Sequence, residues 1–183
     1  MTNLSNQQLS TIHPNPSIIL ESSPLTSHFY QLQSTAVCKQ LSKQTQTFRY
    51  VITPYLKDSN SYGNIYFSRY FEWQGMCREA WFTQCICADM LNMQGGFLTK
   101  AAHNIYNEEV LPFQRITCLL NVKDIKRSSF NLLFRFYNED TKVLVSKGYQ
   151  TVVFINLANK KISKLPAEVI EKVRRFEAQE YLL

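Results

Sequence analysis

The spacing of apolar residues changes rhythm several times along this chain. From Thr47 the alternation of Phe48, Tyr50 and Ile52 predicts a first strand running to Pro54-Tyr55. A polar loop over 58–63 follows. Next, Tyr66, Tyr70, Trp73, Cys77, Ala80, Trp81 and Ile86 recur at roughly 3.6 residues. This predicts one long helix over 65–92, closed by the glycines of Gln94-Gly95-Gly96. Strands are then predicted over 98–106, 115–122, 131–137 and 143–155, the last two rich in β-branched and aromatic residues. Asn138-Glu139-Asp140-Thr141 reads as the turn between those two. Pro166 opens a short final helix with Val169, Ile170, Val173 and Phe176 on its apolar side. One strand, one long helix and four further strands make an α+β domain, an antiparallel sheet of five or six strands wrapped around a central helix. Such a sheet has a spare edge, and pairing of two copies would cover it.

Residues 1–43 differ in kind. Twenty of these 43 are Ser, Thr, Asn or Gln, and Glu21, Lys39 and Lys43 are the only charges. A polar, irregular N-terminal extension over 1–43 and a folded domain over 44–183 are expected, although Ile18-Ile19-Leu20 and Phe29-Tyr30 could dock on the domain. Hydrophobic content of 45% with 13% aromatics is ample for a core. The net charge of +6 includes no basic run of the kind that marks a nucleic-acid arm. Basic residues do gather toward the C-terminus, at Lys160, Lys161, Lys164, Arg174 and Arg175, as a solvated face or a surface for an acidic partner. Cys38, Cys77, Cys85, Cys87 and Cys118 lack the spacing of a metal site and read as reduced core residues of a cytoplasmic protein. No segment reads as a membrane span or a signal peptide, and no cofactor or metal is called for.

The long helix carries polar groups beside its apolar face. Tyr70, Gln74 and Arg78 lie four residues apart along one slowly drifting stripe. A guanidinium and an amide bordering a buried face need partners, because unpaired burial costs several kcal/mol. A ligand carbonyl is one such partner, and a neighbouring subunit is another.

Asn60, Tyr-Gly-Asn-Ile-Tyr at 62–66 and Trp-Gln-Gly-Met-Cys-Arg-Glu at 73–79 resemble the hot-dog-fold acyl thioesterases of the 4-hydroxybenzoyl-coenzyme A type. Within these they look most like the enediyne polyketide thioesterases. The resemblance covers roughly 46–175 and extends to Ser146-Lys147-Gly148-Tyr149-Gln150-Thr151-Val152-Val153-Phe154 and Leu165-Pro166-Ala167-Glu168-Val169. It departs from the broader family at Asn60, where an acidic residue is usual, and it implies Asn60, Tyr70 and Arg78 as the catalytic positions. An asparagine has no useful pKa, but it can orient water or donate to an oxyanion. An arginine is always protonated and can only stabilise negative charge. The structural alternatives stay open: a turn role for Asn60, a core role for Tyr70, an ion pair for Arg78, and Glu79 (more weakly Glu72) as the catalytic carboxylate.

The resemblance implies hydrolysis of an acyl thioester, a β-ketoacyl polyketide on an acyl carrier protein, with decarboxylation of the released β-keto acid. An iterative polyketide synthase is the implied partner and a homodimer or homotetramer the implied assembly. The other expectations are an acyl-coenzyme A thioesterase of general metabolism, or an acyl-binding hot-dog protein without catalysis. Phe67, Phe71, Trp73, Trp81, Phe82 and Met90 could line an acyl tunnel, or simply fill the core.

Overall fold

Strand follows strand where apolar residues alternate, and the chain turns back wherever that alternation breaks. The computed structural model describes the backbone of Ile18–Leu20 together with residues 45–89 and 95–178. Strands β1 (Ile18–Leu20), β2 (Gln46–Ile52), β3 (Gly95–Tyr106), β4 (Ile116–Lys123), β5 (Ser129–Asn138) and β6 (Leu144–Asn156) form one antiparallel sheet. Their order is β1-β2-β4-β5-β6-β3, so among the described residues β3 is an edge strand. The helix α1 (Arg69–Trp81) lies on one face, and α2 (Ala167–Arg174) closes the chain. The four strands expected after the helix and the short helix behind Pro166 are present. β1 comes from the segment expected to be an irregular extension: Ile18–Leu20 pairs with Gln46–Phe48 along β2. Phe29, Tyr30 and Cys38 lie outside the described residues.

The helix is shorter than its apolar rhythm predicts. It starts at Arg69 rather than 65, because 61–68 form turns that bring Tyr66 N–H to the Asp58 carbonyl at 2.9 Å. Tyr66 consequently stands half in solvent instead of in the core. At its C-terminal end α1 passes into a π-helical turn, Phe82–Ile86, where Cys87 N–H reaches back to Phe82 O at 2.8 Å. Thr83 Oγ1 donates to the Glu79 and Ala80 carbonyls at 2.9 and 3.1 Å, which competes with the regular ladder. Gly95 and Gly96 open β3 rather than cap the helix. The reason is steric: a Cβ on Gly95 would lie 2.1 Å from the Phe154 ring.

Tyr70, Trp73, Gln74, Cys77 and Trp81 form the buried face of α1. Trp73, Trp81 and Phe82 fill the core, so the expected tunnel between helix and sheet is packed solid at those residues. Trp81 meets Phe130 and Phe176 edge-on, and Phe82 stacks on Phe97 at 4.5 Å. Of the other expected tunnel residues, Phe67 is exposed, Phe71 is partly buried and Met90 lies outside the described residues.

The contacts of α1 along β3 form a ladder of opposite sense. Tyr70 meets Tyr106, Gln74 reaches His103 and Asn104, Arg78 reaches Thr99, and Phe82 meets Phe97. The helix therefore runs antiparallel to the free edge strand for nearly its whole length.

Candidate active site

A cleft of about 400 Å³ opens where the 58–68 loop enters α1, lined by Asn60, Asn64, Tyr70 and Tyr106 and by Asn107 to Val110 of the β3–β4 connection. Two of the three expected catalytic residues meet here.

Asn60 sits in a tight turn. Its Oδ1 accepts the Tyr62 N–H at 2.8 Å, while its backbone pairs with Asn64 and Gly63. Gly63 supplies the left-handed backbone (φ 88°) that the turn requires. Only an oxygen can accept from the Tyr62 amide, so the orientation of the Asn60 amide is fixed. The turn role and a donor role are thus compatible: the oxygen holds the loop, and the NH₂ has no hydrogen-bond partner among the described residues.

Tyr70, one turn into the helix, is 3% exposed. Its ring packs on Trp73 and edge-on against Tyr106 and Phe136. Burial first, then the neighbouring Tyr106 and Glu109, push its hydroxyl well above the usual phenol range. It stays protonated at working pH. Among the described residues that hydroxyl has no hydrogen-bond partner, whereas Tyr106 donates to the Phe67 carbonyl at 3.0 Å.

Arg78 does not reach the cleft of its own chain. Arg78 lies eight residues, or ~12 Å of helical rise, beyond Tyr70. There its guanidinium donates to Thr99 Oγ1 at 2.6 Å, to Gln150 Oε1 at 3.1 Å and to Glu79 at 3.3 Å. Gln74, between them, is fully buried; its Nε2 donates to the His103 carbonyl at 3.2 Å and to Asn104 Oδ1 at 3.1 Å. The polar stripe therefore finds most of its partners on β3 and β6, while Gln74 Oε1 is buried without a hydrogen-bond partner and the Tyr70 hydroxyl has none among the described residues. Glu79, paired with Arg78, and Glu72, paired with Arg69, both point away from the cleft into solvent.

The structure adds a group that sequence reasoning missed. Glu109 lines the cleft, and its Oε1 accepts from Asn64 Nδ2 at 2.8 Å. No motif marks it, because its neighbourhood to Asn60 and Tyr70 arises from sheet topology. Among the described residues no group of His, Cys, Asp and Glu is placed to hold a metal ion. The four described cysteines are unpaired; Cys77 and Cys118 are buried, whereas Cys85 and Cys87 are only partly so. No described helix is long and apolar enough to cross a membrane.

The sequence profile of the Thioesterase-like superfamily matches residues 55–173. No curated protein matches the sequence significantly. Solved structures share the fold. The dynemicin thioesterase superimposes with a TM-score of 0.68 at 20% identity, over 73% of this chain and 99% of that one. A 1,4-dihydroxy-2-naphthoyl-CoA thioesterase from Synechocystis gives 0.64 at 17% identity, over 70% and 96%. A Staphylococcus aureus protein solved in complex with CoA gives 0.67 at 15%, over 82% and 94%. The arrangement of sheet and helix is the hot-dog fold.

Proposed function

Because the chain belongs to the Thioesterase-like superfamily and is a thioester hydrolase, we propose that its substrate is a β-ketoacyl polyketide thioester on an acyl carrier protein. The observation that carries this reading is the donor pair in the cleft. Asn60 and Tyr70 present an NH₂ and a protonated hydroxyl at the loop–helix junction, where the broader family's motif has a carboxylate. Donors aimed at a thioester carbonyl stabilise the oxyanion that forms when water attacks, and one such donor supplies roughly 2.7–4 kcal/mol. The same donors stabilise the enolate formed when a β-keto acid loses CO₂. An iterative polyketide synthase would supply such a chain, and the dynemicin thioesterase is among the structures with this fold.

Arg78 joins the site if two copies pair along β3. That strand is free on one side among the described residues and mostly exposed. An isologous two-fold contact along it would set the two α1 helices antiparallel across the interface. The Arg78 end of one helix would then lie opposite the Tyr70 end of the other.

The CoA thioesterases among the structural neighbours favour a second reading, in which the same cleft serves free acyl-CoA. Turnover of β-ketooctanoyl carried on acyl carrier protein and on coenzyme A separates the two. The carrier-protein reading expects kcat/KM at least about tenfold higher on the protein thioester. A preference for coenzyme A supports the second reading, and binding of both without hydrolysis leaves an acyl-binding protein.

A further inference from the structure

The donors Asn60 and Tyr70 can polarise a thioester, but neither can take a proton from water. Asn60 is an amide, and Tyr70 is held in its protonated form. Two exposed carboxylates, Glu108 and Glu109, line the cleft, and Glu109 is the one that a side chain holds in place. Glu109 sits on the β3–β4 connection, and that connection is strapped down along its length. Asn107 and Glu108 N–H both donate to Val145 O at 2.9 and 3.1 Å, and Ile65 N–H donates to Val110 O at 2.8 Å. Phe113 N–H donates to Pro54 O at 2.7 Å with Phe113 at φ 71°, a backbone conformation unusual for an aromatic residue and held by the surrounding contacts. Asn64 donates to one oxygen of Glu109 at 2.8 Å, and no hydrogen bond engages the other among the described residues. Beside it lies the Tyr70 side chain, 97% removed from solvent with its hydroxyl unpartnered, on the wall of the same cleft.

We propose that Glu109 is the general base of the hydrolysis, occupying the role that the loop position Asn60 cannot fill. This inference rests on the thioesterase reading of the cleft. Water, held by the free Glu109 oxygen, attacks the thioester carbon, and its proton passes to Glu109. The carbonyl π pair moves onto oxygen, where Asn60 and Tyr70 donate to it. Collapse re-forms the C=O bond and breaks the C–S bond. The thiolate takes the proton back from Glu109, which leaves a carboxylic acid, a free thiol and the carboxylate regenerated. No oxidant, metal or further reactant enters. Asn64 is a positioning residue here, since it acts only through Glu109.

The test uses full-length protein and β-ketooctanoyl thioesters of carrier protein and coenzyme A. Glu109→Gln is expected to lower kcat roughly 10²–10³-fold with little change in KM. Glu109→Asp is expected to recover part of that loss, and Asn64→Ala to lie between Glu109→Gln and the wild type. Glu79→Gln, a solvent-exposed carboxylate outside the cleft, is the control and is expected to be unchanged, with all variants melting as the wild type does. Activity of Glu109→Gln within about threefold of wild type overturns the proposal and leaves the thioesterase reading standing. A wild-type protein inert on both thioesters overturns the thioesterase reading and the Glu109 assignment together.

Discussion

Asn60 meets a structural demand in its turn, and under the proposed reaction it and Tyr70 would meet a chemical one as well. Asn60 Oδ1 is occupied by the Tyr62 amide, so Asn60→Asp would keep the turn while replacing the free NH₂ with a carboxylate oxygen. In a cleft that already holds Glu109 and needs donors, the outcome expected is impairment, about 10²-fold in kcat, with Asn60→Ala similar. Raised activity of Asn60→Asp would mean that Asn60 positions water instead. Tyr70→Phe tests the other donor and carries a second readout. The folded-state pKa of Tyr70 is raised above its ordinary value of 10.0. The stability linked to it is therefore intact below pH ~10 and lost as pH rises through the folded-state value, because the unfolded chain releases that proton first. Tyr70→Phe removes this linkage, so alkaline unfolding followed by circular dichroism should shift upward, while kcat at neutral pH falls about 10²-fold. The types and spacing of Asn60 and Tyr70 were legible in the sequence because both belong to one local turn-and-helix segment. Glu109 was not, since 39 residues and a strand reversal separate it from Tyr70.

Among the elements, α1 and β6 are locked by a polar network inside an otherwise apolar layer. Gln74 donates to Asn104, Asn104 to Ser146 Oγ at 2.7 Å, and Ser146 to the Ile105 carbonyl at 2.8 Å. Gly148 makes room for it: a Cβ there would lie 2.3 Å from His103 O and 2.6 Å from Gln74 Nε2. Gly148→Ala must push either the edge strand or the amide aside, at a cost of about 1–3 kcal/mol measurable in urea unfolding. A wild-type midpoint in Gly148→Ala would show that β3 yields freely. The apolar rhythm read correctly that α1 buries a face and that polar residues border it. It overran at the C-terminal end because Trp81, Phe82 and Ile86 stay buried through the π turn, which keeps apolar residues facing inward after α-helical hydrogen bonding has stopped. Gly95-Gly96 misled for a related reason. Close packing on Phe154 selects glycine as surely as a helix cap does.

At the scale of the whole molecule, the extension and the edge strand decide what the domain needs. Deleting 1–43 removes β1, whose three residues pair with β2 at the opposite edge of the sheet from β3. The thioesterase rate is expected to stay within a few fold, with a small loss in melting temperature. A collapse of activity would mean that the segment does more than lengthen the sheet.

The β3 edge bears more directly on chemistry. Arg78 is held toward that edge by Thr99, and Asn60 lies in the cleft at the opposite end of α1. If two copies pair isologously along β3, each site draws Asn60 from one chain and Arg78 from the other. Asn60→Ala and Arg78→Ala are then each expected to lose about 10²–10³ in kcat while remaining dimeric by light scattering. Co-expression of the two variants gives the decisive outcome. In a mixed dimer one site loses both residues and the other keeps both, so a statistical mixture should recover about a quarter of the wild-type rate. If Asn60 and Arg78 of the same chain served one site, every site in that mixture would stay broken and no activity would return. A monomer at micromolar concentration, or a mixture as inactive as its parents, would confine Arg78 to its bonds with Thr99 and Gln150.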